Sequence, residues 1–143
     1  MKSFNPQPYI VHQHLNHLAI LVSGVIQWVV GALWYSALFG KQWRELVGMK
    51  KTPSGSSAIV AMATSFVGGL VLAFALAHVI QWAYATNFPW GAFIGFICWL
   101  GFVAPMMLSQ SLYEQRPIKL FFINVSYWLV VLIISGGLLA QWQ

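Results

Sequence analysis

Four long apolar stretches with no Asp, Glu, Lys or Arg in their interiors constrain this chain more than any motif in it. They run roughly from Leu15 to Phe39, Ser57 to Tyr84, Pro89 to Leu112 and Ile118 to Trp142. Each exceeds the ~20 residues that a helix needs to cross the hydrocarbon core of a bilayer. Lipid offers the backbone no hydrogen-bond partners, so such a stretch must satisfy its own amides as a helix. Charged side chains make up only 6% of the sequence, against about a quarter in a soluble domain. A surface so poor in charge is insoluble in water and at home in lipid. The expectation is an all-α integral membrane bundle of four transmembrane helices, one domain over residues 1–143, arranged as two antiparallel hairpins.

The segment Met1 to Tyr9 holds one Lys and two prolines, and the run after it is too long for the apolar part of a signal peptide. That run is read as a permanent span. Spans two and three are joined around Thr86, Asn87 and Phe88, and spans three and four by Tyr113 to Pro117. Such short links predict adjacent antiparallel neighbours. Pro117 suits the first turn of span four, where its missing N–H costs nothing. Pro105, inside span three, is expected to kink that helix.

Six of the seven Lys and Arg residues (Lys41, Arg44, Lys50, Lys51, Arg116 and Lys119) fall in or beside loops one and three, and only Lys2 on the other side. Positive loops stay in the cytoplasm. The predicted topology is a multi-pass protein of the bacterial inner (plasma) membrane with both termini periplasmic. Trp34, Tyr35, Trp43 and Tyr113 would then mark one interface, and Trp82, Tyr84, Trp90 and Trp142 the other. The segment from Lys41 to Lys51 is expected to lie as a short interfacial helix. Trp43, Leu46 and Val47 would dip into lipid while the basic residues meet anionic headgroups. Residues Thr52 to Ser57 read as a flexible linker.

Helices associate in lipid through small residues. Gly69, Ala73 and Ala77 in span two, Gly91 and Gly95 in span three, Ala32 and Ser36 in span one, and Ser135, Gly136 and Gly137 in span four are the expected seams. Four short helices enclose little interior, so a homo-oligomer is expected.

The chemistry available is sparse. His78 is the ionisable group within a span, and its two readings are a proton or ligand site and an interfacial hydrogen bond beside Gln81 and Trp82. Gln27 in span one and Asn124 and Tyr127 in span four must face inward, either around a small polar cavity or as interhelical glue. His12, His14 and His17 have poor spacing for a metal, so no metal site is assigned. The lone Cys98 reads as a packing residue. No pair of carboxylates, nucleophile set, C-x-x-C or phosphate loop is present, so no enzyme activity and no cofactor are expected. Nucleic acid is not an expected partner. Glu114 and Arg116 in loop three are expected to pair in a turn, or Glu114 to meet Arg44 or Lys41.

The string Gly31 to Trp43 (GALWYSALFGKQW), the string Tyr113 to Phe121 (YEQRPIKLF) with Asn124 just beyond, and Asn16 before span one resemble the bacterial membrane family called domain of unknown function 1761. The resemblance covers almost the whole chain. It implies a small helical inner-membrane protein, no particular activity, and a proline where this chain has Ala37. It also draws Trp34, Tyr35, Ser36, Lys41 and Trp43 to one level with Tyr113, Glu114, Arg116 and Lys119, as a cytoplasmic clamp or a headgroup or small-anion site.

The candidate ligand-binding residues are therefore Gln27, Trp34, Tyr35, Ser36, His78, Glu114, Arg116, Asn124 and Tyr127. Trp28, Trp99, Tyr127 and Trp128 are the candidate aromatic lining. The leading expectation is binding or transport of a small apolar or amphiphilic molecule or lipid. The alternative is a structural or accessory subunit of a larger membrane complex.

Overall fold

A computed structural model describes residues 15–51 and 54–142, and these are helical apart from short links. Helix α1 spans His17–Leu33 and continues through a π-helical turn, Trp34–Leu38. A short helix α2, Gly40–Val47, follows. Helix α3 is Ser56–Trp82. Helix α4, Phe88–Cys98, runs through a second π-helical turn, Trp99–Val103, into α5, Ala104–Tyr113. Helix α6 is Ile118–Gln141. Four continuous helical stretches of 22, 27, 26 and 24 residues are long and apolar enough to cross a membrane. At about 1.5 Å per residue, even the shortest, of 22 residues, reaches the ~30 Å of a hydrocarbon core.

The ends of these helices are set by local chemistry. Asn16 caps α1: its Oδ1 accepts from the amides of Leu18 and Ala19, both at 3.1 Å. Its Nδ2 donates to the Trp142 carbonyl at 2.9 Å and so ties the start of α1 to the end of α6. Asn87 caps α4 by accepting from the Trp90 amide at 3.0 Å, with Pro89 in the first turn. Gly48 ends α2 in the left-handed region at φ 71°, where glycine carries no steric penalty.

The π-helical turn in span three has a register reason. Pro105 has no N–H to return to residue 101, and its ring crowds that carbonyl. The chain widens just before it, and the Ala104 amide reaches back five residues to the Trp99 carbonyl. The expected disturbance at Pro105 therefore takes the form of an inserted residue. At the end of span one, the Phe39 amide bonds the Trp34 carbonyl at 2.9 Å, again five residues back.

Helix α6 is the centre of the bundle and supplies more buried residues than any other helix, including Leu132, Ser135, Gly136, Leu139 and Ala140. Its closest neighbour is α4. Gly91 and Gly95 face Gly136 and the Leu132 carbonyl so closely that a Cβ on either glycine would collide with α6 backbone. Helix α1 pairs with α3, where Gly24 lies against Leu70 and Gly69 against Gln27. The two hairpins of the sequence reading are present.

Three expectations need correction. Spans two and three are joined by a short link yet touch only sparsely, and α6 contacts both. The backbone-to-backbone approach permitted by Gly91, Gly95 and Gly136 decides the neighbour more strongly than link length. Ala32 and Ser36 form no seam: both are exposed, and the Ser36 hydroxyl donates back to the Ala32 carbonyl. The expected short helix is present as α2, but Trp43 and Val47, expected to point away from the bundle, line a cleft shared with α5 and α6. Only Phe39 separates α2 from the preceding helical turn, which folds α2 back beneath the bundle.

Candidate functional site

A side cavity of about 630 Å³ lies between α1, α3 and α6, in the half of the bundle nearer α2. Small residues create it: Gly31 and Ala32 on α1 and its π-turn approach, and Ala61, Gly68 and Gly69 on α3. Trp28, Met62, Tyr127 and Trp128 supply the apolar walls. Trp28, Ala61, Met62 and Ser65 are exposed, so the cavity opens on the flank of the bundle. No charged side chain lines it.

Gln27 lies in the wall of this cavity at only 3% exposure. Its Oε1 faces Gly69, where a Cβ would stand 3.2 Å away. Its Nε2 is buried and has no hydrogen-bond partner among the described residues. A buried donor without a partner costs about 1–3 kcal/mol. One turn earlier on the same face, the Ser23 hydroxyl is also buried and unpartnered, as is that of Ser135 on α6. Sequence reasoning missed Ser23, and read Ser135 only as a small residue of a packing seam. The four-residue spacing of Ser23 and Gln27 on one helix face was the available signal.

Tyrosines bridge this polar strip to the α2 end. The Tyr127 hydroxyl donates to the Gln27 carbonyl at 3.4 Å. Tyr35 packs edge-on against Tyr127 at 5.2 Å and against Trp43 at 5.3 Å. Its hydroxyl donates to Asn124 Oδ1 at 3.0 Å. Trp34 donates its indole N–H to the Ile123 carbonyl at 3.0 Å. A double-mutant cycle with Tyr35→Phe and Asn124→Leu should give a coupling of about 0.5–1.5 kcal/mol, read by denaturant unfolding in micelles. Additive losses would show that the two side chains are not coupled.

A second, polar cleft of about 230 Å³ lies beyond Asn124, between α2, α5 and α6. Trp43, Gln110, Glu114, Arg116 and Asn124 line it. Tyr35 lines the first cavity and Asn124 the second, so their hydrogen bond stands in the wall between the two. Glu114 pairs with Arg116 at 3.2 Å, across the left-handed Gln115 at φ 52°. This is the in-turn alternative of the sequence reading. Both side chains remain nearly half exposed, so the pair itself adds little stability.

Gln110 Nε2, donating at 2.7 Å, and then Arg116 hold the Glu114 carboxyl below the usual glutamate range. A lowered folded-state pKa gives a stabilisation that is complete above the ordinary glutamate value. It is lost as pH falls through the lowered one. In an NMR titration, the Glu114 midpoint should lie below that of a free glutamate, and Gln110→Leu or Arg116→Gln should raise it. A midpoint unmoved by both substitutions would contradict this assignment.

The remaining candidates lie apart from the cavity. His78 is half-buried, with Nδ1 2.9 Å from the Phe74 carbonyl, an atom that only accepts, so this nitrogen carries the proton. Its ring packs against Phe74 and Trp82. Ser36 is committed to its own helix. Trp99, expected in the aromatic lining, instead donates its indole N–H to the Val125 carbonyl at 2.9 Å on the α4 side. A buried indole N–H needs an acceptor, and Trp99 finds one in the α6 backbone. His12 and His14 lie outside the described residues. Among the described residues, no three His, Cys, Asp or Glu side chains gather where they could hold a metal.

No curated protein and no solved structure matches this chain. The sequence profile of the family described as "Protein of unknown function (DUF1761)" matches residues 18–140, which takes in every span and both cavities, and the chain belongs to that family.

Proposed function

We propose that this chain binds, and passes along the bilayer or across it, a small apolar or amphiphilic molecule that enters from the lipid. The carrying observation is the uncharged side cavity between α1, α3 and α6, open on the flank of the bundle. A ligand arriving from water would have to cross lipid to reach this opening, whereas a lipid-soluble one is already there. The polar cleft beside Asn124 and Arg116 suits the polar end of an amphiphile, with the Tyr35–Asn124 bond between chain and head. The proposed setting is a bacterial inner membrane, with loops one and three cytoplasmic on the strength of their six positive charges. A homo-oligomer remains part of the proposal.

Photolabelling with a long-chain alkyl diazirine in reconstituted bilayers tests the reading. Label should concentrate on peptides carrying Trp28, Met62 and Trp128, and Gly68→Phe should displace it. A Cβ at Gly68 meets nothing within 4 Å, so a larger side chain there has space to enter and fill the cavity. Label spread evenly over exposed apolar residues such as Val71 and Phe102 would rule out a specific site.

A further inference from the structure

The donors and acceptors of the cavity wall are unequal, and the inequality names a ligand class. The Tyr35, Tyr127 and Ser65 hydroxyls have committed their protons, to Asn124, to the Gln27 carbonyl and to the Ala61 carbonyl respectively. The Gln27 amide offers two N–H donors with no partner, while its oxygen is turned against Gly69. The indoles of Trp28 and Trp128 are donors only. With no charged side chain in the lining, nothing there compensates an ionised ligand.

We infer that Gln27 recognises a neutral, largely apolar molecule through an oxygen that accepts from its amide N–H, as a ketone, quinone or ester carbonyl does. The inference rests on the cavity being a ligand site. Nε2 is shielded by neighbouring protein, so the amide must turn about its last side-chain torsion, whose energy wells are broad, to meet the ligand oxygen. Such a turn gives the donor the partner it lacks. Ser23, one turn deeper on α1, has an unpartnered hydroxyl on the same face and extends the polar strip beyond Gln27. A plain hydrocarbon chain offers Gln27 no acceptor.

The test uses the full chain in lipid nanodiscs, a long-chain methyl ketone with an isotope-labelled carbonyl, and the alkane of equal chain length. The ketone should bind roughly fivefold more tightly than the alkane, the worth of one added neutral hydrogen bond. Its bound carbonyl stretch should move to lower frequency. Gln27→Leu should remove both the preference and the shift while leaving binding of the alkane in place. That variant replaces an unpartnered amide by an apolar side chain, and the ketone-to-alkane comparison in the unmodified protein stands without it. Equal binding of ketone and alkane, both blocked by Gly68→Phe, would overturn the role of Gln27 and leave the cavity as a ligand site. Failure of both probes to bind would overturn the cavity reading, and this inference with it.

Discussion

Gly95→Val should unfold the α4–α6 half of the bundle, at a cost above ~3 kcal/mol in micelle denaturation followed by circular dichroism. Ordinary overpacking costs about 1–3 kcal/mol because side chains turn aside. Here the obstacle is backbone: a Cβ at Gly95 meets the Leu132 carbonyl, and one at Gly91 meets the Gly136 carbonyl. No rotamer change relieves that, so α4 must move off α6. The helices hold together through this close approach, because in lipid no hydrophobic force replaces it. Gly68→Ala is the matched control, since nothing stands within 4 Å of its Cβ. It should stabilise by about 0.5–1 kcal/mol through helix propensity alone. A Gly95→Val loss no larger than that of a surface substitution would show that α4 and α6 do not meet as described.

Asn16→Ala should cost about 2 kcal/mol, in two separable parts. The lost cap on Leu18 and Ala19 is worth ~1 kcal/mol. The lost bond from Nδ2 to the Trp142 carbonyl is worth about the same. Asn16→Asp separates them: the carboxylate keeps the cap and favours the positive end of the helix dipole, but it has no N–H for Trp142. It should recover about half of the loss. Full recovery by Asp would show that the tie between α1 and the end of α6 carries no stability.

The spans were legible because lipid imposes a single rule that one residue class enforces. Twenty or more apolar residues without charge leave the backbone no alternative to helix. The inward placement of Gln27, Asn124 and Tyr127 was legible for the same reason, since a polar group at that depth needs protein around it. Asn16 and Asn87 were not read as caps, although each stands just before an apolar run where a helix start favours Asn. Neighbour choice was legible only in part: the pairing of spans three and four was read from their short link and holds, while that of spans two and three was not. Link length suggested that α3 and α4 lie together, but the decisive quantity is the distance between backbones, which depends on glycines meeting across two helices. The cavity was hidden for a related reason. It is a volume left by Gly31, Gly68 and Gly69 together, and no single residue signals it. Trp99 was misplaced because its indole bonds the Val125 carbonyl on the α4 side of α6, a pairing across two helices that no single span signals.

Tyr35 shows how the site draws on both sources. Its string of neighbours carried the family resemblance, and its position near the end of span one placed it at an interface. What the sequence lacked was its role as a wall. It packs between Tyr127 and Trp43 and bonds Asn124, separating an apolar cavity from a polar cleft. Tyr35→Phe therefore becomes informative about communication between the two spaces as well as about stability.

The account turns on whether the cavity between α1, α3 and α6 is a ligand site, and native mass spectrometry of the protein gently extracted from its own membrane tests this most directly. The predicted result is a chain or homo-oligomer retaining a neutral apolar molecule in fixed ratio, which Gly68→Phe no longer retains. A ligand-free chain bound to a different, larger protein, with the same spectrum for Gly68→Phe, would contradict the account and make the chain an accessory subunit.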